Sequence, residues 1–244
     1  MLFFTLQSNV VDLNEEITFE AIESGNFAII DLNEEEFFII NTGSQSSELE
    51  VMERIEQLND KEIKGILITR PTEENCGNLN QIMQTYDVET VYLPFNMSES
   101  CIVDFTLSNV ERLNDGDSIA IGANYYVEYT FNEEADVGNV ILINDKFIIY
   151  WYEGLADYSK WEKNINALYI PENIPIEHIT MEDLSKLDPE IAIINQRNKH
   201  IRSFINMFQE AWVDLYLLKR GTSVHIFFDQ DRYYHIQLKK NGRK

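Results

Sequence analysis

Hydrophobic and polar positions along the chain change period, and the changes mark its elements. Residues 17–41, ITFEAIESGNFAIIDLNEEEFFIIN, hold three apolar stretches. Ile17–Ile22 alternates with period two, Phe27–Leu32 follows the turn Glu23-Ser24-Gly25-Asn26, and Glu36–Asn41 is nearly continuous after Asn33-Glu34-Glu35. Strands bounded by turn residues in this way predict an antiparallel meander. The period then lengthens. In SSELEVMERIEQLN, Val51, Met52, Ile55 and Leu58 form one stripe of a helix that Ser47 is placed to cap, and the buried strand Gly65–Thr69 follows. Leu79, Ile82, Met83 and Tyr86 fall at i, i+3, i+4 and i+7, so a second amphipathic helix leads from a polar loop to the strand Thr90–Leu93.

Strand pairs recur at Ser118–Gly122 with Tyr125–Phe131, and at Asn139–Ile143 with Lys146–Tyr152 around an Asn144-Asp145 turn. Helix and strand then alternate: LADYSKWEKN (155–164), NALYIP (166–171), MEDLSKL (181–187) and EIAIIN (190–195). A longer helical segment, Ile201–Leu218, precedes a closing hairpin of Val224–Phe228 and Tyr233–Leu238, turning at 229–232. Two sheets faced by helices accommodate this α/β (α+β) mixture. No linker, low-complexity run or fixed-period repeat divides the chain, so one domain over 1–244 is expected, with its core at about 17–238.

Composition alters that picture little. With 244 residues, 44% hydrophobic and 25% charged, an ordinary core is available without a metal or disulfide framework. No apolar run reaches the roughly 18 residues of a membrane span, and MLFFTLQSNV lacks the basic front of a signal peptide, which predicts a cytoplasmic protein. Cys76 and Cys101 are expected to be unpaired thiols in a reducing compartment. Charge is uneven: residues 1–196 carry a net −29 and residues 197–244 a net +6, within a total of −23. The basic end comprises Arg197, Lys199, Arg202, Lys219, Arg220 and a tail at 239–244. Its expected role is to neutralise the protein's own acidic surface. A field this negative opposes strong nucleic-acid binding and leaves an unidentified protein partner, or a second copy in a homo-oligomer, as the expected counterpart.

The order of pieces carries a resemblance. FEAIESGNFAIIDLNEEEFFIINTG, a helix, and ILITRPTEENCGNLNQIMQTYDVETVYLP are similar to the metallo-β-lactamase superfamily, above all to the soluble C-terminal domain of competence DNA-channel proteins of the ComEC type. That pattern runs from a V-G-Q-G turn through D-T-G to a T-H-x-H-x-D-H-x-G-G loop. GNVILINDKFIIYWYEG, ALYIPEN, PEIAIIN and the closing hairpin follow in the same order, over about residues 17–238. The resemblance implies a four-layer αββα sandwich and a metal cleft. Asn41-Thr42-Gly43 stands at the D-T-G turn. With Thr69 and Gly77 aligned, Arg70 and Thr72 replace the loop histidines, Glu74 the aspartate and Asn75 the last histidine. The bridging aspartate falls on Tyr152 or Glu153, and the distal histidine on Glu172 or Asn173.

Zinc hydrolases need imidazoles and carboxylates at about 2.0–2.2 Å around the ion. Arg70 supplies a permanent cation instead, and Thr72 and Asn75 are weak neutral ligands. The expectation is a framework without catalytic residues, metal or cofactor, with an Arg70–Glu74 ion pair across the vacated cleft. The alternative is a hydrolase or nuclease with an atypical or metal-free site, linked to DNA uptake by the resemblance. His178, His200, His225 and His235 are dispersed, and His225 with His235, on the two arms of the last hairpin, are expected to be a sheet pair rather than zinc ligands. Ser24 and Thr42 beside glycines read as turn residues, and no nucleophile elbow, P-loop or dinucleotide fingerprint occurs.

Overall fold

The computed structural model describes residues 15–95, 101, 109–132, 137–144, 147–153, 165–228 and 234–241. The expected helix at 155–164, the Asp145 half of one turn and the last hairpin's turn at 229–232 lie outside them. The meander forms as its alternation predicts: β1 (Glu15–Glu20), β2 (Ala28–Asp31) and β3 (Glu36–Ile40) pair antiparallel. Helix α1 (Glu48–Glu56) crosses to β4 (Glu62–Leu67), parallel to β3. A short α2 (Glu73–Cys76) and α3 (Leu79–Thr85) lead to β5 (Val88–Pro94), and β6 (Val110–Leu113) extends the sheet.

The second sheet begins with antiparallel β7 (Ser118–Ala120), β8 (Tyr125–Asn132), β9 (Val137–Asn144) and β10 (Phe147–Trp151). It continues in parallel through β11 (Ala167–Ile170), α4 (Met181–Leu187), β12 (Ile191–Asn195), α5 (Ile201–Glu210) and β13 (Asp214–Leu218). Strands β14 (Thr222–Phe228) and β15 (Tyr234–Lys240) return to the first sheet, where β14 pairs antiparallel with β1. The orders are β15-β14-β1-β2-β3-β4-β5-β6 and β13-β12-β11-β10-β9-β8-β7.

Burial sorts into layers. Ile17, Phe19, Val224 and Ile226 of the first sheet meet Val140, Ile149, Trp151 and Tyr169 of the second in a central core. Phe19 of the first sheet stacks on Tyr169 of the second with centroids 4.9 Å apart and lies 5.8 Å from the Trp151 ring, so aromatic contacts join the sheets. Val51 and Ile55 of α1 and Leu79 and Ile82 of α3 cover the first sheet's outer face. Leu184 and Leu187 of α4 and Phe204 and Phe208 of α5 cover the second. The result is the expected αββα sandwich.

Several local expectations are corrected. The helix expected at Ile201–Leu218 ends at Glu210, because Trp212 adopts φ 59°, a left-handed residue that stops the helix, and 214–218 becomes β13 beside β12. A short apolar run such as Leu215–Leu218 fits helix and strand alike, and pairing across the sheet decides. Ser47 does occupy the N-cap of α1, but without a cap hydrogen bond: its hydroxyl donates to the Ser24 carbonyl at 2.8 Å and accepts from the Ser24 amide at 2.7 Å. Lys239 and Lys240 belong to β15, opposite Ser223 and Thr222, rather than to a tail. Cys76 and Cys101 are joined in a disulfide, not free, with Cα atoms 5.7 Å apart. Among the described residues no helix is long and apolar enough to cross a membrane.

Candidate functional site

The cleft lies where β3, β4 and β10 end beside one another. After β3 the chain turns at Asn41, whose φ of 60° puts it in the left-handed region that asparagine tolerates better than most residues. Its amide N–H donates to the Leu67 carbonyl at 2.8 Å, and its side chain closes on Thr69. Asn41 Oδ1 accepts from the Thr69 amide at 2.8 Å, while Asn41 Nδ2 donates to Thr69 Oγ1 at 3.0 Å. The preceding turn is locked against α2. A Cβ on Gly25, at φ 92°, would stand 2.2 Å from the Glu74 carbonyl oxygen, and that oxygen accepts from the Asn26 amide at 3.0 Å.

Glu153, just past β10, is the carboxylate of the cleft, and it is 2% exposed. Its Oε1 accepts from Thr69 Oγ1 at 2.5 Å, from Trp151 Nε1 at 2.9 Å and from Asn75 Nδ2 at 3.4 Å. Its amide donates to Asn139 Oδ1 at 3.0 Å. Arg70 Nη1 lies 3.8 Å from Glu153 Oε2 and donates to the Glu153 carbonyl at 3.5 Å. Burial raises the Glu153 pKa above the usual carboxylate value, and Arg70 with the donors from Thr69, Trp151 and Asn75 lowers it only in part.

Asn75 joins a second group of contacts. Asn26 Nδ2 donates to Asn75 Oδ1 at 2.8 Å, and Asn26 Oδ1 accepts from the Tyr169 hydroxyl at 3.0 Å. Burial, with Glu153 and Glu172 nearby, pushes that phenol well above its ordinary value, so it stays a neutral donor. Glu172 accepts from the Gly25 amide at 3.2 Å and pairs with Arg197 at 3.4 Å.

The candidate positions therefore separate. Asn41, Arg70, Asn75 and Glu153 converge, with Glu172 one contact further out. Tyr152 points to the opposite face of its sheet, where its hydroxyl donates to the His178 carbonyl. Thr72 is the N-cap residue of α2, with its carbonyl accepting from Asn75 and Cys76 amides. Asn173 is exposed. The expected Arg70–Glu74 pair is corrected: Arg70 reaches across to Glu153 just past β10, while the Glu74 carbonyl is turned to the Asn26 amide. Sequence reasoning missed Asn26, Trp151, Asn139, Tyr169 and Arg197. The alternation Ile149, Trp151, Glu153 carried the signal that would have chosen Glu153 over Tyr152.

The histidine pair is also placed. His225 lies opposite Gln237 and His235 opposite Phe227, so they are diagonal neighbours on the hairpin, and both rings stack on Phe227. Among the described residues no group of three His, Cys, Asp or Glu side chains is arranged to hold a metal ion. The cleft's residues do not fit a zinc dication, because Asn75 presents an amide N–H donor, Glu153 Oε1 already accepts three hydrogen bonds, and a guanidinium stands at Oε2.

No family model matches the sequence, and no curated protein matches it. Solved structures do. The metallo-β-lactamase fold protein YhfI from Bacillus subtilis superposes with a TM-score of 0.65 at 8% identity, over 86% of this chain and 98% of that one. Igni18, a metallo hydrolase from the archaeon Ignicoccus hospitalis, gives 0.60 at 10% identity over 86% and 98%. Zinc-bound PqqB from Methylobacterium extorquens gives 0.55 at 10% over 83% and 88%. With its two sheets, outer helices and strand-end cleft, the chain has the metallo-β-lactamase fold.

Proposed function

We propose that this chain is a catalytically silent protein of the metallo-β-lactamase fold with a binding or regulatory role, its ComEC-like cleft closed by its own side chains. One observation carries the reading: the buried Glu153 carboxylate, beside the positions where the fold's hydrolases place their ligands, is held by Thr69, Trp151, Asn75 and Arg70. A metallo hydrolase and a zinc-bound protein stand among the solved neighbours. In this chain a permanent cation occupies the place of a loop histidine, and fold alone does not bring function with it.

The partner is a protein surface or a second copy of this chain. The basic residues support that choice over nucleic acid, since two of them already meet carboxylates of the same chain. Arg220 pairs with Glu23 at 3.1 Å, and Arg197 with Glu172. The reading is tested by assaying purified protein against phosphodiester, phosphomonoester and β-lactam substrates, with zinc or manganese added and with chelator. No turnover above the uncatalysed rate is expected under either condition. Metal-dependent turnover would restore the hydrolase reading, and chelator-resistant turnover abolished by Glu153→Gln would establish a metal-free site.

A further inference from the structure

A groove between α1 and the last hairpin, away from the cleft, is lined by Glu16, Arg54, Ser223, His225, Lys239 and Asn241 among others. Val224 and Ile226 of β14 face the central core, which turns Ser223 and His225 to the opposite face, beside Thr18 and Glu20 of β1. These side chains form a continuous line of hydrogen bonds whose directions can be worked out.

Asn241 Nδ2 donates to Glu20 Oε2 at 3.0 Å, and Glu20 Oε1 lies 2.6 Å from Arg54 Nε. That contact orients the amide, so Asn241 Oδ1 is the atom facing Ser223 Oγ at 3.0 Å, and an amide oxygen only accepts. The single Ser223 proton is therefore directed at Asn241. His225 Nε2 lies 2.7 Å from the same hydroxyl and is the donor to it when the Ser223 proton faces Asn241. His225 Nδ1 contacts Glu16 Oε1, a carboxylate oxygen that also accepts from Thr18 Oγ1 at 2.8 Å, and it lies 3.2 Å from that same Thr18 hydroxyl. With the Ser223 proton facing Asn241 both ring nitrogens donate, the imidazolium pattern; with that proton turned to Nε2 the same heavy-atom positions hold the neutral ring. Burial would raise the Glu16 pKa, yet the bonds from His225 and Thr18 and the charges of His225 and Lys239 hold it below the usual value, consistent with a carboxylate facing a cation.

Serine, histidine and carboxylate in this order match a nucleophilic triad. Ser223 is nevertheless 1% exposed, within a ladder paired on both sides, where no substrate carbonyl can reach its hydroxyl. A conformational role fits these facts better.

We propose that His225 is a proton switch that latches the end of β15 to β14 and β1. In the imidazolium state Ser223 donates to Asn241. When the Nε2 proton leaves to water, Glu16 keeps the remaining proton at Nδ1, Ser223 turns its own proton to Nε2, and Asn241 Oδ1 loses its donor. No bond between heavy atoms changes. The charged groups lining the groove around His225 are Glu16 and Glu20 of β1 with Glu23 beyond it, Glu50, Glu53, Arg54 and Glu56 of α1, Arg220, and Lys240 and Lys239 of β15, the last with its ammonium 4.7 Å from the Phe227 ring. His235, stacked on Phe227, is a second imidazole on this hairpin.

Backbone hydrogen exchange at Asn241, whose amide donates to the Gly221 carbonyl at 2.8 Å, reads the latch directly. Wild-type protein should lose about fivefold in protection, corrected for intrinsic exchange, between about pH 5.5 and pH 8, the equivalent of one neutral hydrogen bond of about 1 kcal/mol. Ser223→Ala should show the lower protection at both pH values, and His235→Gln should behave as wild type. Protection that is flat with pH in the wild type, a pH step that survives in Ser223→Ala, or a step that disappears in His235→Gln would overturn the proposal.

Discussion

Arg70 is about one-third exposed, while its partner Glu153 is almost wholly buried, and the pair's contribution follows from that asymmetry. Arg70→Ala leaves a buried carboxylate without its cation and should destabilise the fold by about 1–3 kcal/mol at pH 7, between the values for exposed and fully buried pairs. The pH dependence has a definite sign. A carboxyl whose folded pKa is raised binds its proton more tightly folded than unfolded, so stability falls as pH rises from about 4.5 to the folded value. Removing Arg70 raises that value further, so the variant's deficit should be small at about pH 4.5 and full at neutrality. Denaturant unfolding at both pH values checks this, and a deficit independent of pH would contradict it. Arg70 and Asn75 stood out in the sequence as polar side chains in the segment between β4 and α3, and the structure brings both to Glu153. The pairing was not legible: Glu74 is four residues from Arg70 in sequence, whereas Glu153 comes near only through the packing of one sheet's strand ends against the other's.

Among the elements, the period-two stretches and the two stripes at Val51–Leu58 and Leu79–Tyr86 were legible, because burial on one face imposes its period on the sequence. The Ile201–Leu218 segment was misread as one helix, since the left-handed turn at Trp212 has no glycine or proline to announce it. The two cysteines gave no pairing signal either, being too few for a framework. The disulfide ties α2, which carries Asn75 into the cleft, to the chain beyond β5, with a sequence separation of 25. For such a loop the chain-entropy relation gives about 3–4 kcal/mol. Reduction, or Cys101→Ser, should therefore lower the melting temperature by several degrees in a thermal scan, and an unchanged melting temperature with reductant would show that the bond contributes nothing to stability. Disulfides persist in oxidising surroundings, so free thiols no longer support a reducing compartment for this protein.

At the scale of the whole molecule, the αββα order and the acidic body with a basic end were legible from the alternation of elements and the charge count. Arg197 and Arg220 do pair with the chain's own carboxylates, as expected, while the individual partners, and the seat of Lys239 over Phe227, were not legible because they depend on tertiary contacts. With those cations engaged and a net charge of −23, DNA binding at physiological salt should be no tighter than about 10⁻⁶ M, the upper end of ordinary non-specific affinity. Titration of labelled single- and double-stranded DNA checks this, and a tighter constant would move the function towards nucleic acid. The closed cleft itself is tested most directly by elemental analysis of protein purified without chelator, combined with melting curves before and after chelation. Well under one zinc, manganese or iron per chain and an unchanged melting temperature are predicted, since an ion bound to the native state alone would stabilise it measurably. One metal per chain, removed by chelator with a fall in melting temperature, would contradict a cleft closed by Arg70, Asn75 and Glu153.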